Sequence, residues 1–487
     1  MNGAELLTIK EHTTESTATG INSVRHRWVG SALVGVALVN FLVCFAIFVR
    51  IPLVDLPLYF VQRYFVLDPT SLLFLLLINT VFLGISVYMY SRVHTSRVLA
   101  ENMLPRAALS LAFMVAMNLG VMSNNLLMLW ALIEVTTLCA VPLVAQGSSS
   151  TPHSARRVAW HYMLYSSMSL ALTFLGFMCL TRSAHLHGLE INFAFDQLAL
   201  ALPSAGDNWQ RLGLALMLFG LGGKLGLAPL YGWMPATYEA APTSTSALLA
   251  AVQFNISVLA VFRILQVFHV SHSSFVTHEL LIMGCLSLAV AAIQVMAARN
   301  YKRLIAYACV SSSGVIAIGL SVGKVAAYGV VLYVVSSAFV KALLFLTAGR
   351  LRAVYGTNDV AALSGVIRVL PFSGLLFAVG IFALLGFPPF GSFMAEMLIL
   401  SGIVQSSDWI TFTLICTMLT IIFVAAGRSI FPMLWGPSNR TGSTINEPWV
   451  TAIPKLGFVA ALVLLGVYTP EPVNQLLLLV AQSIGGQ

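Results

Sequence analysis

The chain has 487 residues, of which 59% are hydrophobic and only 9% are charged, and its mean hydropathy is +0.90. A soluble domain would carry roughly a quarter charged residues, so this composition excludes a soluble globular protein and indicates an all-α, polytopic membrane protein. The net charge of +8 comes from basic residues scattered among short loops. That distribution argues against a nucleic-acid-binding surface and favours a role in orienting the helices.

Thirteen apolar runs are long enough to span a bilayer. They lie at about 28–49, 70–91, 106–122, 125–145, 159–181, 209–230, 243–265, 279–298, 304–321, 325–348, 369–404, 409–431 and 452–471. The run at 369–404 contains two prolines and is counted as one broken helix. We also expect a polar N-terminal tail at 1–27, N-terminal transmembrane helices within 28–105, and a C-terminal helix and tail at 432–487.

Basic residues fall mainly in alternate loops. Those before the first span, after the second and after the fourth are Arg25, Arg27, Arg92, Arg97, Arg106, Arg156 and Arg157. The long segment 183–208 between the fifth and sixth spans contains no Lys or Arg. Because cytoplasmic loops carry the excess of basic residues, this pattern predicts a cytoplasmic N-terminus. A bacterial cytoplasmic (inner) membrane is the location we expect.

The spans also suggest an internal duplication. Residues 106–265 and 279–431 are both blocks of five helices, and the fourth helix of each block combines a break with an ionisable residue, Lys224 or Glu396. Since five is odd, the second block would cross the membrane with opposite polarity, as in the inverted repeats of transporters. The predicted helix breaks lie at Pro229, Pro235, Pro388 and Pro389.

Four ionisable residues lie well inside apolar runs, namely Glu134, Lys224, Lys341 and Glu396. Because a charge within a bilayer is costly, we interpret them as a proton pathway rather than as structural ion pairs between helices. Burial makes a lysine release its proton more readily, and a nearby carboxylate makes the lysine retain its proton. Glu134 beside Lys224 would therefore keep that lysine protonated. If Glu134 moved away or was neutralised, the proton would pass to Lys341 and then toward Glu396.

Polar side chains near these residues could line the water between them, and the candidates are Gln253, Asn255, Ser336 and Ser337. For any single one of them, a hydrogen bond within or between helices is the commoner role. The aromatic side chains of Tyr231, Trp233 and Tyr238 are interpreted as anchors at a membrane interface.

Nothing in the sequence predicts a cofactor or a metal site. The six cysteines lie singly inside apolar runs, without a Cys-x-x-Cys pair, so they indicate neither an iron–sulfur cluster nor a disulfide framework. The spacing of the histidines is not that of a metal site. We expect no catalytic chemistry in this chain itself.

Several motifs resemble the proton-conducting, antiporter-like membrane subunits of respiratory complex I, multisubunit sodium/proton antiporters and group 4 hydrogenases. The similarity covers roughly 105–430. Its motifs are the acid helix at Glu134, Gly223-Lys224-x-Gly-Leu-Ala-Pro with Trp233-x-Pro235, Ala241-Pro242-Thr243-x-x-Ser246, Lys302-Arg303-Leu304, and Ala338-Phe339-Val340-Lys341. The resemblance implies an input pair at Glu134 and Lys224, a central lysine at Lys341, and an output residue at Glu396.

The resemblance is strongest to two types of subunit. Glutamate at Glu396 matches the complex I subunit M type and the hydrogenase-4 component F type, and Asn255 favours the latter. The chain departs from the family where histidines are expected, since Ser337, Tyr231 and Tyr238 stand at those positions. Without these histidines, proton transfer near Lys341 would be less efficient, and serine hydroxyls and water would have to carry the proton instead.

The implied function is proton translocation within a larger membrane complex, driven by a reaction in a partner subunit such as an oxidoreductase module. A second hypothesis is proton flux in a two-component inorganic-carbon uptake system with a soluble zinc-binding subunit. A third is a stand-alone cation/proton antiporter, with sodium as an alternative ion. A fourth is a scaffold whose buried charges are vestigial. The co-purifying partners separate the first two hypotheses.

Overall fold

The structure, a computed structural model, describes residues 3–93, 103–147, 152–189, 192–201, 207–268, 273–437, 445 and 447–485. Regular structure in this part of the chain is nearly all helical. The helices are α1 (Gly3–Arg50), α2 (Pro69–Val93), α3 (Met103–Met122), α4 (Leu126–Ala145), α5 (Pro152–Leu186), α6 (Phe195–Ala201), α7 (Asn208–Leu225), α8 (Trp233–Ala240), α9 (Thr243–Leu248), α10 (Phe254–Phe268), α11 (Ser273–Ala297), α12 (Tyr301–Val322), α13 (Lys324–Tyr355), α14 (Val366–Val369), α15 (Pro371–Leu384), α16 (Gly391–Gln405), α17 (Trp409–Trp435), α18 (Trp449–Val467) and α19 (Glu471–Gly485).

Twelve helical stretches among the described residues are long and apolar enough to cross a membrane. The predicted span at 369–404 is formed by the two shorter apolar helices α15 and α16, which meet at the prolines. The prediction of an all-α membrane protein is thus confirmed. Helix α1 begins at Gly3 and continues to Arg50, so it includes most of the polar tail expected at 1–27. Arg97 lies outside the described residues.

The helix ends gather on two faces of the bundle. The hairpin face carries two strands that the sequence did not predict, β1 (Leu58–Phe60) and β2 (Phe65–Leu67), and a bridge joins Phe65 to Ser123. The opposite face, called the basic face, carries the bridge between Asn300 and Asp359. Basic side chains lie at or near the helix ends on this face, at Arg92, Arg106, Arg299, Lys302, Arg352 and Arg368.

The centre of the bundle is formed by α9–α10, α12 and α13, which other helices surround almost completely. A π-helical turn, Leu249–Gln253, joins α9 to α10, and such turns are frequent at functional sites. Helix α1 lies at the rim, where it packs mainly on α2 and α3. Helix α19 packs on α13 and α2 on the hairpin face.

Two helical spans are interrupted by turns of the same geometry. Helices α7 and α15 lead into Gly226 and Gly386, whose φ angles are +83° and +67°, a left-handed conformation that glycine adopts without steric cost. The next amide donates to the carbonyl five residues earlier, at 2.8 Å for Leu227 and 3.1 Å for Phe387. This bond pattern is the Schellman motif.

Side chains satisfy the same carbonyl in both turns, three residues before the glycine. Trp233 Nε1 donates to Gly223 O at 2.9 Å, and Ser392 Oγ donates to Ala383 O at 2.5 Å. The interior of a bilayer offers no water to backbone groups that a broken helix leaves unpaired. These two bonds therefore allow the breaks to lie within the membrane.

Three of the four predicted break prolines lie in these turns. Pro229 follows Gly226, and Pro388 and Pro389 follow Gly386. The prediction for Pro235 is wrong, because it lies in the first turn of α8 (Trp233–Ala240). The first turn of a helix has no intrahelical acceptor for its amide groups, so a proline fits there without breaking the helix.

We expect Gly466→Ala to destabilise the protein. A Cβ at this position in α18 would lie 1.9 Å from Pro389 O, so the helix would be pushed away from the break, at a cost of about 1–3 kcal/mol. The thermal unfolding midpoint in detergent should fall. Gly457→Ala in the same helix is the matched control, since no atom lies within 4 Å of its added Cβ. Equal midpoints for the two variants would contradict the close approach.

Candidate functional site

Lys224 ends α7 directly before the first break and is buried. Its Nζ donates to Thr137 Oγ1 of α4 at 2.5 Å and to Ser166 Oγ of α5. The ring of Tyr162 lies 5.4 Å from Nζ, within reach of a cation–π interaction. The lysine is therefore held by neutral hydroxyl groups and an aromatic ring.

Glu134 lies on α4, half-buried, and its Oε1 accepts a hydrogen bond from Ser167 Oγ at 2.6 Å. Its other carboxylate oxygen, Oε2, has no hydrogen-bond partner. Glu134 is within electrostatic range of Lys224, but the two side chains make no ion pair within 4 Å. The predicted input pair is thus not in direct contact, and its members bind to consecutive serines of α5, Ser166 and Ser167.

A hydrogen-bonded chain leads from this cluster to the π-helical turn. The Tyr162 hydroxyl donates to Gln253 Oε1 at 2.8 Å, and Gln253 Nε2 donates to Thr136 Oγ1 at 3.3 Å. Asn255, the next predicted polar residue, donates to Ala251 O at 2.7 Å, and its Oδ1 has no partner. Gln253 therefore connects the Lys224 cluster to the centre of the bundle.

The interpretation of Trp233 and Tyr238 as membrane-interface anchors is wrong, since 4% and 1% of these side chains are exposed. The Tyr238 ring packs edge-to-face on Trp233 and on Phe345. Its hydroxyl group is within electrostatic range of Tyr162 and of Cys309. Tyr231 lies half-buried on the short 3-10 turn Leu230–Gly232.

Lys341 lies in the middle of α13 and is fully buried. Its Nζ has no hydrogen-bond partner and lies 3.1 Å from the centroid of the Phe254 ring. Cys309 of α12 is within electrostatic range. Among the four predicted residues, this ammonium group is the one held without a polar contact.

Glu396 lies on α16 with its carboxylate against the second break, because a Cβ at Gly386 would meet Oε2. The carboxylate is within interaction range of Tyr333 of α13, whose hydroxyl donates to Ser312 Oγ at 3.5 Å. Tyr333 and Lys341 are about 12 Å apart along the axis of α13. One helix therefore carries both the central lysine and the contact of the predicted output residue.

The two predicted serines lie between these positions on α13. Ser336 Oγ is buried without a hydrogen-bond partner and faces the start of α16, where a Cβ at Gly391 would lie 2.6 Å from it. Ser337 Oγ donates to Val334 O at 3.0 Å. Ser336 is thus the one with hydrogen-bonding capacity to spare.

Lys302 belongs to one of the family motifs, but the sequence alone indicates no role for it. It is fully buried at the start of α12, and its Nζ donates to Glu239 O at 2.9 Å and Ala241 O at 2.8 Å. It therefore binds the carbonyl end of α8, the short helix after the first break. A polar cleft of about 490 Å³ opens beside it on the basic face, lined by residues that include Glu239, Arg299, Asn300, Arg352, Asn358 and Asp359.

No cluster of three or more His, Cys, Asp or Glu side chains that could hold a metal ion is found in the described ranges. The polar groups at the site are instead hydroxyl, amide, ammonium and carboxylate groups. Hydroxyl groups both donate and accept hydrogen bonds, so the arrangement can pass protons between titratable residues.

The chain is similar to membrane subunits of known complexes. A model of the family described as NADH:quinone oxidoreductase/Mrp antiporter, TM, matches residues 123–422. The chain is 27% identical over 424 residues to the hydrogenase-4 component F homolog of Methylacidiphilum infernorum (isolate V4), covering 84% of this chain and 86% of the relative. A chain of the archaeal membrane-bound sulfane sulfur reductase has a TM-score of 0.82 at 21% identity, covering 95% of both chains. A chain of the Mrp complex from Dietzia sp. DQ12-45-1b also has a TM-score of 0.82, at 16% identity, covering 97% of this chain and 95% of that one.

We expect Tyr238→Phe to slow proton transport without disturbing the fold. The substitution keeps the ring contacts with Trp233 and Phe345 but removes a hydroxyl within electrostatic range of Tyr162 and Cys309. The rate should fall by at least about fivefold, equivalent to ~1 kcal/mol of barrier. Initial rates are measured with a pH-sensitive dye in membrane vesicles.

The control is Tyr231→Phe, which removes a hydroxyl from a half-buried tyrosine near the same break. Transport by this variant should match the wild type. If Tyr238→Phe also transports at the wild-type rate, the route between the two lysines does not use this hydroxyl.

Proposed function

Because the chain belongs to the NADH:quinone oxidoreductase/Mrp antiporter transmembrane family, we propose that it translocates protons within a multisubunit membrane complex. The protons move through Glu134, Lys224, Lys341 and Glu396, and a reaction in a partner subunit drives them. Structurally similar chains come from complexes of this kind, which supports a role with other membrane subunits.

The observation that carries this proposal is the environment of Lys341. A fully buried ammonium group without a hydrogen-bond partner has no structural ion pair to explain it. Intramembrane charges are rare and usually functional. Lys341 also lies on the most enclosed helix of the bundle, where a purely structural side chain would be apolar. A scaffold role therefore fits the residue poorly.

The path follows the contacts around each residue. A proton on Lys224 is shared with Thr137 and Ser166, and release is favoured when Glu134 is neutral, because the attraction between the two charges is then lost. The hydroxyls of Tyr162 and Tyr238 lead toward Lys341. From there Ser336 and Tyr333 lead to Glu396, and water completes the steps between side chains.

The basic face supports a cytoplasmic assignment for that side of the bundle. Helix ends there carry Arg92, Arg106, Arg299, Arg352 and Arg368, as the positive-inside tendency requires for cytoplasmic loops. Helix α1 ends on the hairpin face, so its beginning lies toward the basic face. We infer a cytoplasmic N-terminus in a bacterial cytoplasmic membrane.

The proposal has two candidate partner subunits, a redox subunit and a zinc-binding subunit. The relative named hydrogenase-4 component F homolog favours a redox partner over a zinc-binding partner for inorganic-carbon uptake. Purification through a tag on this chain, followed by mass spectrometry, separates the two. An iron–sulfur or quinone-reactive subunit supports the first, and a soluble zinc protein supports the second.

We expect Lys341→Met to reduce driven proton transport at least about tenfold, equivalent to ~1.4 kcal/mol of barrier. Methionine fills a similar volume but cannot hold a proton. Lys224→Ala and Glu396→Gln should have comparable effects, because each interrupts the same path. Transport is measured in vesicles with a pH-sensitive dye and is normalised to the amount of assembled complex.

Lys324→Met is the matched control, since Lys324 begins the same helix but is exposed. It should transport at the wild-type rate. Wild-type transport by assembled Lys341→Met, Lys224→Ala and Glu396→Gln variants would leave only a scaffold role. Transport of sodium in place of protons is tested by varying the sodium concentration at fixed pH.

A further inference from the structure

A buried ion pair that the proposed path does not use lies on the hairpin face. The two terminal guanidinium nitrogens of Arg263, in the second half of α10, each contact the carboxylate of Asp68 at 2.7 Å. Arg263 also donates to Ser71 Oγ at 2.8 Å and Gln266 Oε1 at 3.0 Å. The side chains of Arg263 and Asp68 are 6% and 18% exposed. Bidentate, charge-assisted contacts of this kind are strong and fix the geometry of both partners.

The ion pair joins several elements that meet on this face. Asp68 also accepts from the Ser71 amide at 2.9 Å, at the start of α2. Gln266 donates to Ser483 Oγ of α19 at 2.8 Å, and the Arg263 guanidinium lies 5.5 Å from the ring of Phe195 in α6. Helices α2, α6, α10 and α19 are therefore drawn together around one fixed positive charge.

Helix α10 connects this ion pair to the central polar residues. Its inner end carries Asn255 and Phe254, the residue on which Lys341 rests. Between that end and Arg263 lies an apolar layer, where Phe74 and Phe262 pack edge-to-face with centroids 5.8 Å apart. The ion pair closes the outer side of this layer.

The opposite face is built differently. Clefts of about 490 and 280 Å³ open on the basic face around Asn300 and Arg299, and the larger one lies beside the buried Lys302. These clefts admit water to the basic-face side of the core, whereas the described residues at the hairpin-face end of α10 are held together by the ion pair. A proton translocator requires such a barrier, because a path open at both ends would dissipate the gradient.

We propose that the Asp68–Arg263 pair is a seal that keeps protons from passing between the central residues and the hairpin face along α10. The guanidinium group keeps its protons at physiological pH and so cannot pass one on, and its contacts with Asp68 and Ser71 hold the surrounding helices closed. Arg263 is thus a specificity-determining residue that forces protons to leave through Glu396. This inference rests on the proposed function, since it assigns a boundary to the same path.

The ion pair persists over the physiological range of pH. Burial alone would raise the pKa of Asp68, but the charge and hydrogen bonds of Arg263 outweigh it, so the pKa lies below the ordinary value of 3.8. The carboxylate stays ionised at neutral pH and is lost as a partner only as the pH falls through that lowered value. Removal of the arginine would leave a carboxylate that takes up a proton instead.

The test measures passive proton leak. The complex isolated through this chain is reconstituted into liposomes with a pH-sensitive dye inside, and a pH gradient is imposed without the driving reaction. Arg263→Met should raise the leak about tenfold, equivalent to a barrier lower by ~1.4 kcal/mol. Arg263→Gln should do the same, and it provides a second neutral variant where Arg263→Met fails to assemble. Arg263→Lys keeps the charge and should remain tight.

Arg63→Met is the matched control, because Arg63 pairs with Asp196 at 3.4 Å on the same face but is 65% exposed. Its leak should equal that of the wild type. An assembled neutral variant that stays tight, or a lysine variant that leaks as much as methionine, would overturn the seal. Either result leaves the driven-transport test of Lys341 unaffected, so failure of the seal and failure of the proposed path are separately visible.

Discussion

The need to hold ammonium groups inside a bilayer-spanning bundle without neutralising them governs this structure. Lys224 is bound by two hydroxyls, Lys302 by two carbonyls, and Lys341 rests on a phenyl ring. None of the three makes an ion pair within 4 Å with a carboxylate. A close carboxylate would lower the energy of the charged lysine and so trap its proton. Neutral oxygens and rings stabilise the charge less, which leaves a proton able to move.

The two broken spans satisfy their unpaired backbone carbonyls in the same way. A helix that ends within the membrane exposes carbonyl groups, and each break covers them with a left-handed glycine, a Schellman bond and one side-chain donor. The recurrence of this turn at Gly226 and Gly386 supports our proposal of two related five-helix blocks. The two titratable residues use the turns differently. Lys224 lies just before its break, whereas Glu396 lies one helical segment after its break and folds back onto it.

The sequence predicted the fold class and identified the four titratable residues, because a charge in a long apolar run is visible without any knowledge of contacts. It could not predict their partners. The acceptors of Lys224 lie 87 and 58 residues away in the chain, and serine and threonine are too common in membrane helices to single out. The interpretation of Tyr238 is wrong because aromatic residues near prolines are also typical of a membrane interface. Pro235 was misjudged because its place in the first turn of α8 depends on where the preceding break ends. Asp68 and Arg263 each lie at the edge of an apolar run, where a charge is expected to be solvated.

The resemblance to the family implies that Tyr231, Tyr238 and Ser337 stand where histidines are expected, and this has a consequence for the proposed proton path. An imidazole titrates near neutral pH and can hold a proton between two transfers. Tyrosine and serine hydroxyls exchange protons with their neighbours but do not hold a positive charge near neutral pH. Along the proposed path a proton would therefore rest on the lysines and glutamates, and the hydroxyls between them would pass it on in concert with water. On such a path each titratable residue is indispensable. The path also needs a barrier to protons wherever polar groups continue toward the opposite side of the membrane.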